Sequence, residues 1–442
     1  MILIGNGTVI TRDVGKPFFR DGCVAIDGKI IAGVGNSGEL RELHKGARFI
    51  DAHGGLIMPG FINAHMHYYS AFSRGLSVGG APAQNFNEVL ERLWWKLDKA
   101  LSLEDVYYSA VVCMIDCIKN GVTTVIDHHA SPSAVGGSLF RIAEAASELG
   151  VRNCLCYEVS DRDGRQVMED GIRENIDFIK HAARDESGLL AGTFGLHASM
   201  TLSNDTLEAC ANATGDFAAG YHVHVAEGPS DEEDSLKKYG KRIMARFRDF
   251  GITGPRSTAV HCIHVNDEEM EILQDTGTAV VHNPESNMGN AVGVSPIIDL
   301  CARGITVGLG TDGYVSDMLQ SWKFANALQK HAQKHPNVAW SEIPTMLFDN
   351  NSKIAGRYFR TPTGRLLPGY SADVTVLDYR PPTELTEANI NGHLLFGASG
   401  RAVTTTAAQG RVLMENRVMS DIDEDALLAK ARERSKKVWE KV

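Results

Sequence analysis

The sequence predicts an α/β protein in which a parallel eight-stranded barrel carries a small β-sandwich domain assembled from both chain ends. Three observations carry this expectation. Between residues 58 and 365, β-branched apolar runs alternate with amphipathic stretches, the pattern of parallel strands covered by helices. Before residue 57 and after residue 366, short β-rich runs are punctuated by turn residues instead. The 442 residues also exceed what one core usually holds, which suits a barrel with an accessory unit. The expected boundaries are therefore 1–57 and 366–442 for a composite β-domain with a C-terminal helix, and 58–365 for the barrel.

Taken in order, Cys23-Val24-Ala25-Ile26, Asp27-Gly28 and Lys29-Ile30-Ile31 spell a hairpin, because Asp-Gly supplies the positive φ angles of a type I′ turn. Its missing half is expected from Asp373-Val374-Thr375-Val376-Leu377 and from residues 409–418, which turn at Glu415-Asn416. The apolar run Gly55 to Ile62 leads to His65 and His67 and reads as the buried first barrel strand. An excursion from Tyr68 to Lys99 follows; it carries Phe72, Phe86, Trp94 and Trp95, is longer than an ordinary βα loop, and is expected to cover a mouth. Further strands are expected at 122–127, 151–158, 190–197, 220–225, 258–263, 279–282 and 305–309, and helices between them, for example at 138–149 and 268–275. Ser420 ahead of Asp421, Asp423, Glu424 and Asp425, with Lys436, Lys437 and Lys441 late, marks a capped C-terminal helix whose charges match its dipole.

A net charge of -11 argues against nucleic acid or an anionic membrane as the main partner. The opening Met1-Ile2-Leu3-Ile4 lacks the length and basic flank of a signal peptide, and no run approaches a transmembrane length. Eight cysteines without a Cys-x-x-Cys pair suggest reduced core thiols. These features lead to the expectation of a cytoplasmic enzyme acting on a small molecule, and a homo-oligomer, dimer or larger.

In such barrels the reacting groups sit at the carboxyl ends of the strands. Those ends carry His65 and His67, Asp127 to His129, Glu158, His197, His224 with Glu227, His261, His282-Asn283 and Thr311-Asp312. Residues i and i+2 share a strand face, so His65 and His67 can reach one ion. His222 and His224 also share a face, and the spacing alone does not choose between them. Glu227, just beyond the strand where the chain can turn it back over residue 224, favours His224. Asp312 follows an apolar strand and precedes Gly313. Three imidazoles and a carboxylate with a position left for water suit a hydrolytic Zn²⁺ or Fe²⁺ site.

Pro59-Gly60-Phe61-Ile62-Asn63-Ala64-His65-x-His67, His224-x-x-Glu227, Val260-His261-Cys262, His282-Asn283-Pro284-x-Ser286-Asn287 and Gly310-Thr311-Asp312-Gly313 resemble the amidohydrolase superfamily. The branch is that of aminohydrolases acting on N-heterocycles and their chlorohydrolase relatives. Leu93-Trp94-Trp95 and Ile126-Asp127-His128-His129-Ala130-Ser131-Pro132 resemble SsnA-type aminohydrolases within it. The resemblance implies a (β/α)8 TIM-type barrel and one divalent metal, Zn²⁺ or Fe²⁺, held by His65, His67, His224 and Asp312. It further implies that His261 hydrogen-bonds the attacking water, that Glu227 shuttles a proton, that Asp312 moves a second one, and that His197 contacts substrate. The expected reaction is hydrolytic deamination of a purine- or pterin-like ring; the alternative is hydrolysis of a ring amide or a C–Cl bond, within purine catabolism. Binuclear relatives carry a bridging lysine that this chain lacks, since Glu158 closes the third strand and His197 the fourth, although a few relatives bridge through a glutamate. Glu158 is expected to accept hydrogen bonds from the substrate's N–H edge, its other donors being the His128-His129 pair or Arg162. Trp94, Trp95 and His129 complete the expected substrate contacts.

Overall fold

The structure, a computed structural model, describes residues 1–215 and 219–442. Strands from the two ends share one nine-stranded sheet: Ile2–Ile10, Phe18–Asp27, Ile30–Asn36, Arg48–Asp51 and Leu56–Pro59 from the front, Val374–Leu377, Val403–Ala408, Arg411–Glu415 and Val418–Met419 from the back. The join is antiparallel, with Leu56 opposite Leu377 and Pro59 opposite Val374. Ile4, Val9, Val24 and Ile57 from one end pack with Val374, Val376 and Val412 from the other in one apolar cluster. The hairpin forms with Asp27 opposite Ile30, so its turn is Gly28-Lys29. Of these residues only Gly28 has a positive φ, 56°. The turn is therefore not the type I′ turn that Asp-Gly suggests, because the register holds Asp27 in the strand.

The apolar run from Gly55 to Ile62 is two strands rather than one. Leu56–Pro59 belongs to the nine-stranded sheet and Phe61–Met66 to a parallel sheet. Between them Gly60 N donates to Asp373 O at 3.0 Å, and Phe61 N donates to Gly121 O at 2.8 Å. A Cβ at Gly60 would stand 2.4 Å from Thr123 Oγ1. Gly60→Ala is thus expected to overpack the crossover and cost about 1–3 kcal/mol of stability, seen as a lower urea midpoint; an unchanged midpoint would show that the crossover relaxes freely.

All eight expected strands are present. Phe61–Met66, Val122–His129, Arg152–Tyr157 and Leu190–Gly192 pair in parallel in that order, as do Phe194–Ala198, Tyr221–Val225, Thr258–His261, Ala279–His282 and Val307–Leu309. The expected strand at 190–197 is broken at Thr193, which leaves its halves in different sheets. Parallel bridges Val159–Leu196 and Met66–Asp312 join the two sheets at either edge. Helices such as Leu103–Lys119, Ser138–Leu149 and Arg165–Ala182 fall between the strands and bury Val111, Ile142 and Phe178 in one cluster with Val125 and Leu155.

The C-terminal helix Glu424–Trp439 is capped by Asp423, whose side chain accepts from Ala426 N at 3.0 Å, so Ser420 is not the cap. The helix packs on Leu103–Lys119, where Arg434 meets Asp105 at 2.7 Å, and Trp439 Nε1 donates to Phe72 O at 2.7 Å. The excursion after the first parallel strand forms a 3-10 turn, Tyr68–Ser73, and then helical turns Phe86–Val89, Leu90–Trp94 and Trp95–Ala100, the middle one of π type. Among the described residues no helix is long and apolar enough to cross a membrane.

Candidate metal centre and active site

The strand alternation that makes a His-x-His pair face one way brings His65 and His67 together at the end of Phe61–Met66. Asp312, at a φ of 54°, donates its N–H to His65 O at 3.0 Å, which sets the last strand end against the first. Its Oδ1 lies 3.3 Å from His67 Nε2 and 3.9 Å from His65 Nε2. Ring nitrogens of His65, His67 and His224 all lie within 4.8 Å of one another, and so do ligand atoms of His65, His261 and Asp312.

The far side of each ring is tethered. His67 Nδ1 donates to His128 O at 2.5 Å and His224 Nδ1 to His197 O at 2.9 Å, which leaves each Nε2 with a lone pair. His65 Nδ1 faces His222 Nε2 at 2.9 Å, so His222 stands behind His65 and His224 is the one in the cluster. Burial, reinforced by neighbouring histidines, pushes the His65 and His224 imidazoles well below the ordinary histidine range and keeps them in the neutral, ligating form. His65 Nε2 and His261 Nε2 are buried without a hydrogen-bond partner. Orphaned acceptors aimed at one carboxylate are costly unless a cation joins them, so this donor set fits a divalent metal ion.

Beyond the cluster, Ala226 at a φ of 49° turns the chain so that Glu227 folds back over it. Glu227 Oε2 lies 3.4 Å from His261 Nε2, while Oε1 accepts from Asn290 Nδ2 at 3.4 Å. Burial, with the Asp312 carboxylate adding to it, pushes the Glu227 carboxyl well above the usual range, the setting of a group that exchanges protons. His261 Nδ1 meets Asn287 Oδ1 at 2.8 Å. Asn287 and Asn290, which hold His261 and Glu227, are residues that reasoning from spacing does not find. Asn287 lies within the short helix Pro284–Gly289 that Pro284 opens after His282-Asn283, and Asn290 is its C-cap.

Glu158 forms the opposite wall. Its Oε2 lies 3.3 Å from His128 Nδ1 and its Oε1 3.9 Å from His197 Nε2. Burial alone would make this carboxyl a weaker acid, but His197 and His128 more than offset that and hold it below the usual carboxylate range. The expected Arg162 partner is absent: Arg162 pairs with Asp98 and, at 3.1 Å, with Asp163. His129, expected among the substrate contacts, faces Ser131 Oγ at 3.0 Å and does not line the cavity. Successive strand residues alternate sides, so of the pair it is His128 that faces Glu158, and His128 does not line the cavity either.

Residues 56–413 match the model of the amidohydrolase family. The chain belongs to this family. It is similar to a 5-methylthioadenosine/S-adenosylhomocysteine deaminase of Pelotomaculum thermopropionicum, with 31% identity over 98% of both chains. A 5′-deoxyadenosine deaminase of Methanosarcina mazei is 28% identical over 100% of this chain and 99% of its own. Among solved structures, a zinc-bound adenosine deaminase of Xanthomonas campestris superposes with a TM-score of 0.87 at 21% identity, over 99% of this chain and 98% of that one, a likeness of fold. This amidohydrolase is a metal-dependent hydrolase of non-peptide carbon–nitrogen bonds.

The amidohydrolase cavity has a volume of about 380 Å³, with His67, Glu158, His197, His224, Glu227 and Asp312 along its wall. Trp94 and Trp95 line it too, Trp94 edge-on to Tyr69 and Trp95 edge-on to His197, each with ring centres 6.2 Å apart. Ser230 Oγ donates to Asn87 Oδ1 at 2.9 Å and latches the helical excursion across the opening. A planar ring beside these indoles is expected to quench tryptophan fluorescence, with the quenching reduced in Trp94→Phe or Trp95→Phe; equal quenching in both variants would remove the tryptophans from the contact set.

Proposed function

We propose that this amidohydrolase hydrolytically deaminates a purine- or pterin-like heterocycle, with one Zn²⁺ held by His65, His67, His224 and Asp312. The observation that carries the reading is the Glu227 carboxyl, 3.4 Å from His261 Nε2 and facing the same cavity as His67, His224 and Asp312. When bound, the ion supplies the Lewis acidity that makes water nucleophilic near neutral pH. Glu227 takes a proton from the attacking water and delivers it to the ring nitrogen beside the amine-bearing carbon. His261, fixed through Asn287, keeps its Nε2 beside that water. Asp312, with Oδ2 3.6 Å from His261 Nε2, passes the second proton to the departing amine. A C–O bond forms, the C–N bond breaks and ammonia leaves. Each transfer contributes about 10²- to 10⁴-fold.

The test is ammonia release across aminopurines, aminopterins and aminopyrimidines, with the oxo product identified by mass. Release from a purine or pterin is expected. Ring opening or halide release in its place would replace deamination by the alternative hydrolysis.

In the same reading Glu158 sets specificity by accepting hydrogen bonds from the N–H edge of the ring, with His197 beside it. Glu158→Gln is expected to lower kcat/KM for N–H-rich rings by about 10- to 100-fold, the worth of a charged hydrogen bond, at unchanged metal content. Equal effects on rings that offer only acceptors would make the residue structural.

The fold reading that accompanies this function is a closed (β/α)8 barrel over 58–365, supported by the bridges Val159–Leu196 and Met66–Asp312. The composite β-domain of 1–57 and 366–442 then sends its terminal helix back over a barrel helix. A cytoplasmic homo-oligomer is the assembly we propose.

A further inference from the structure

An amphipathic helix normally turns its apolar stripe into a core. The helical excursion of this amidohydrolase does not. Phe86, Val89, Leu90 and Leu93 recur at helical spacing, yet every one of them is only half-buried, and all four line the cavity. The π-type turn Leu90–Trp94 shifts the spacing by a residue and carries the stripe on into Trp94 and Trp95. Met200 and Val315 line the cavity with them, and Val315 is 39% exposed. The outer part of the cavity is thus apolar and continuous with the reacting groups, where His67, His224 and Asp312 are buried.

Arg74 and Asp231, which line the cavity, and Arg92 beside them are already matched. Arg74 pairs with Asp116. Arg92 pairs with Glu88 at 3.2 Å and donates to Ala81 O and Pro82 O. Asp231 spends one oxygen on Met200 N and the other on Ala226 N, at 2.9 and 3.1 Å. A charged group laid along the stripe would lose its water without gaining a partner, whereas an apolar one covers carbon that is otherwise wet.

We propose that the substrate is an amino-heterocycle bearing an uncharged apolar arm, and that this arm lies along the face formed by Phe86, Val89, Leu90 and Leu93. The proposal rests on the deamination reading above. With the amine-bearing carbon of a purine at Glu227 and Asp312, the N9 position lies at the opposite end of the bicycle, and the arm it carries shares one cavity with the stripe. The adenosine derivatives in the names of two relatives differ in this respect, since a 5′-deoxy or methylthio arm is uncharged and a homocysteine arm is zwitterionic, and one of those relatives is named for both kinds. This cavity is built for the uncharged kind.

The experiment is kcat/KM for ammonia release from adenine, 9-ethyl-, 9-butyl- and 9-hexyladenine and 9-(5-carboxypentyl)adenine, with the metal-loaded enzyme. Within the alkyl series the value is expected to rise about fourfold per methylene until the stripe is covered. The carboxypentyl compound is expected to fall about tenfold or more below the hexyl one. Leu90→Arg, which sets a cation on the stripe, should reverse the order of those two, a gain that misfolding cannot produce. Ammonia from the whole series with no dependence on the arm, or with the carboxypentyl compound equal to the hexyl, overturns the proposal and leaves deamination standing. No ammonia from any aminopurine overturns both.

Discussion

Glu227→Gln is expected to retain the metal ion and lose about 10³-fold in kcat, within the 10²- to 10⁴-fold range of a positioned proton transfer. The separation of the two effects follows from the geometry. Glu227 meets His261 Nε2 at 3.4 Å and Asn290 Nδ2 at 3.4 Å, and it belongs to none of the clusters whose atoms lie within 4.8 Å of one another. Glutamine fills the same volume and can still accept from Asn290, but its amide neither takes nor gives a proton at any working pH. Substrate binding should therefore change little while turnover collapses. Metal analysis beside steady-state kinetics checks this. Turnover within a few-fold of the parent enzyme would remove Glu227 from the proton path, and a parallel loss of metal would make it a ligand.

Much of this site was legible because it depends on short-range periodicity. The two-residue period of a strand places His65 and His67 on one face whatever the rest of the chain does, and an apolar run before a turn marks where Glu227 and Asp312 emerge. What was not legible depends on pairing between distant segments. The choice of His128 over His129 as the neighbour of Glu158 is set by the register of Val122–His129 against its partners. Arg162 is drawn from Glu158 to Asp98, 64 residues earlier, by the packing of the excursion. Gly60 divides an apparently single strand because the carbonyls of Asp373 and Gly121, in different parts of the fold, accept from the adjacent N–H groups of Gly60 and Phe61. The tethers of His67 and His224 are carbonyls of His128 and His197, and since every residue has a carbonyl, no sequence signal distinguishes these two. The apolar stripe formed by Phe86, Val89, Leu90 and Leu93 was not read from the sequence, where a helix that buries its stripe in protein and one that offers it to a ligand have the same periodicity.

Replacing His65 and His67 together by Ala is expected to take the metal content from about one ion per chain to near zero and to abolish turnover. The pair supplies two of the three imidazoles whose nitrogens converge within 4.8 Å. What remains, His224 and Asp312, is too few protein ligands for a tetrahedral ion that must keep one position open. The strand itself should survive, because Phe61–Met66 is held by its pairing with Val122–His129 rather than by the imidazoles. Both side chains are buried, at 0% and 7% exposure, so some loss of stability from the space left behind is expected as well. His222→Ala separates these contributions. It removes the partner of His65 Nδ1 at 2.9 Å but no ligand, and the loss should be about 10- to 100-fold in metal affinity rather than complete. Metal analysis after dialysis against a weak chelator distinguishes the three proteins. Two ions per chain in the parent, both required for turnover, would overturn the single-metal reading. It would also point to Glu158, whose carboxylate lies within 4.8 Å of ring nitrogens of both His67 and His224 in two further clusters.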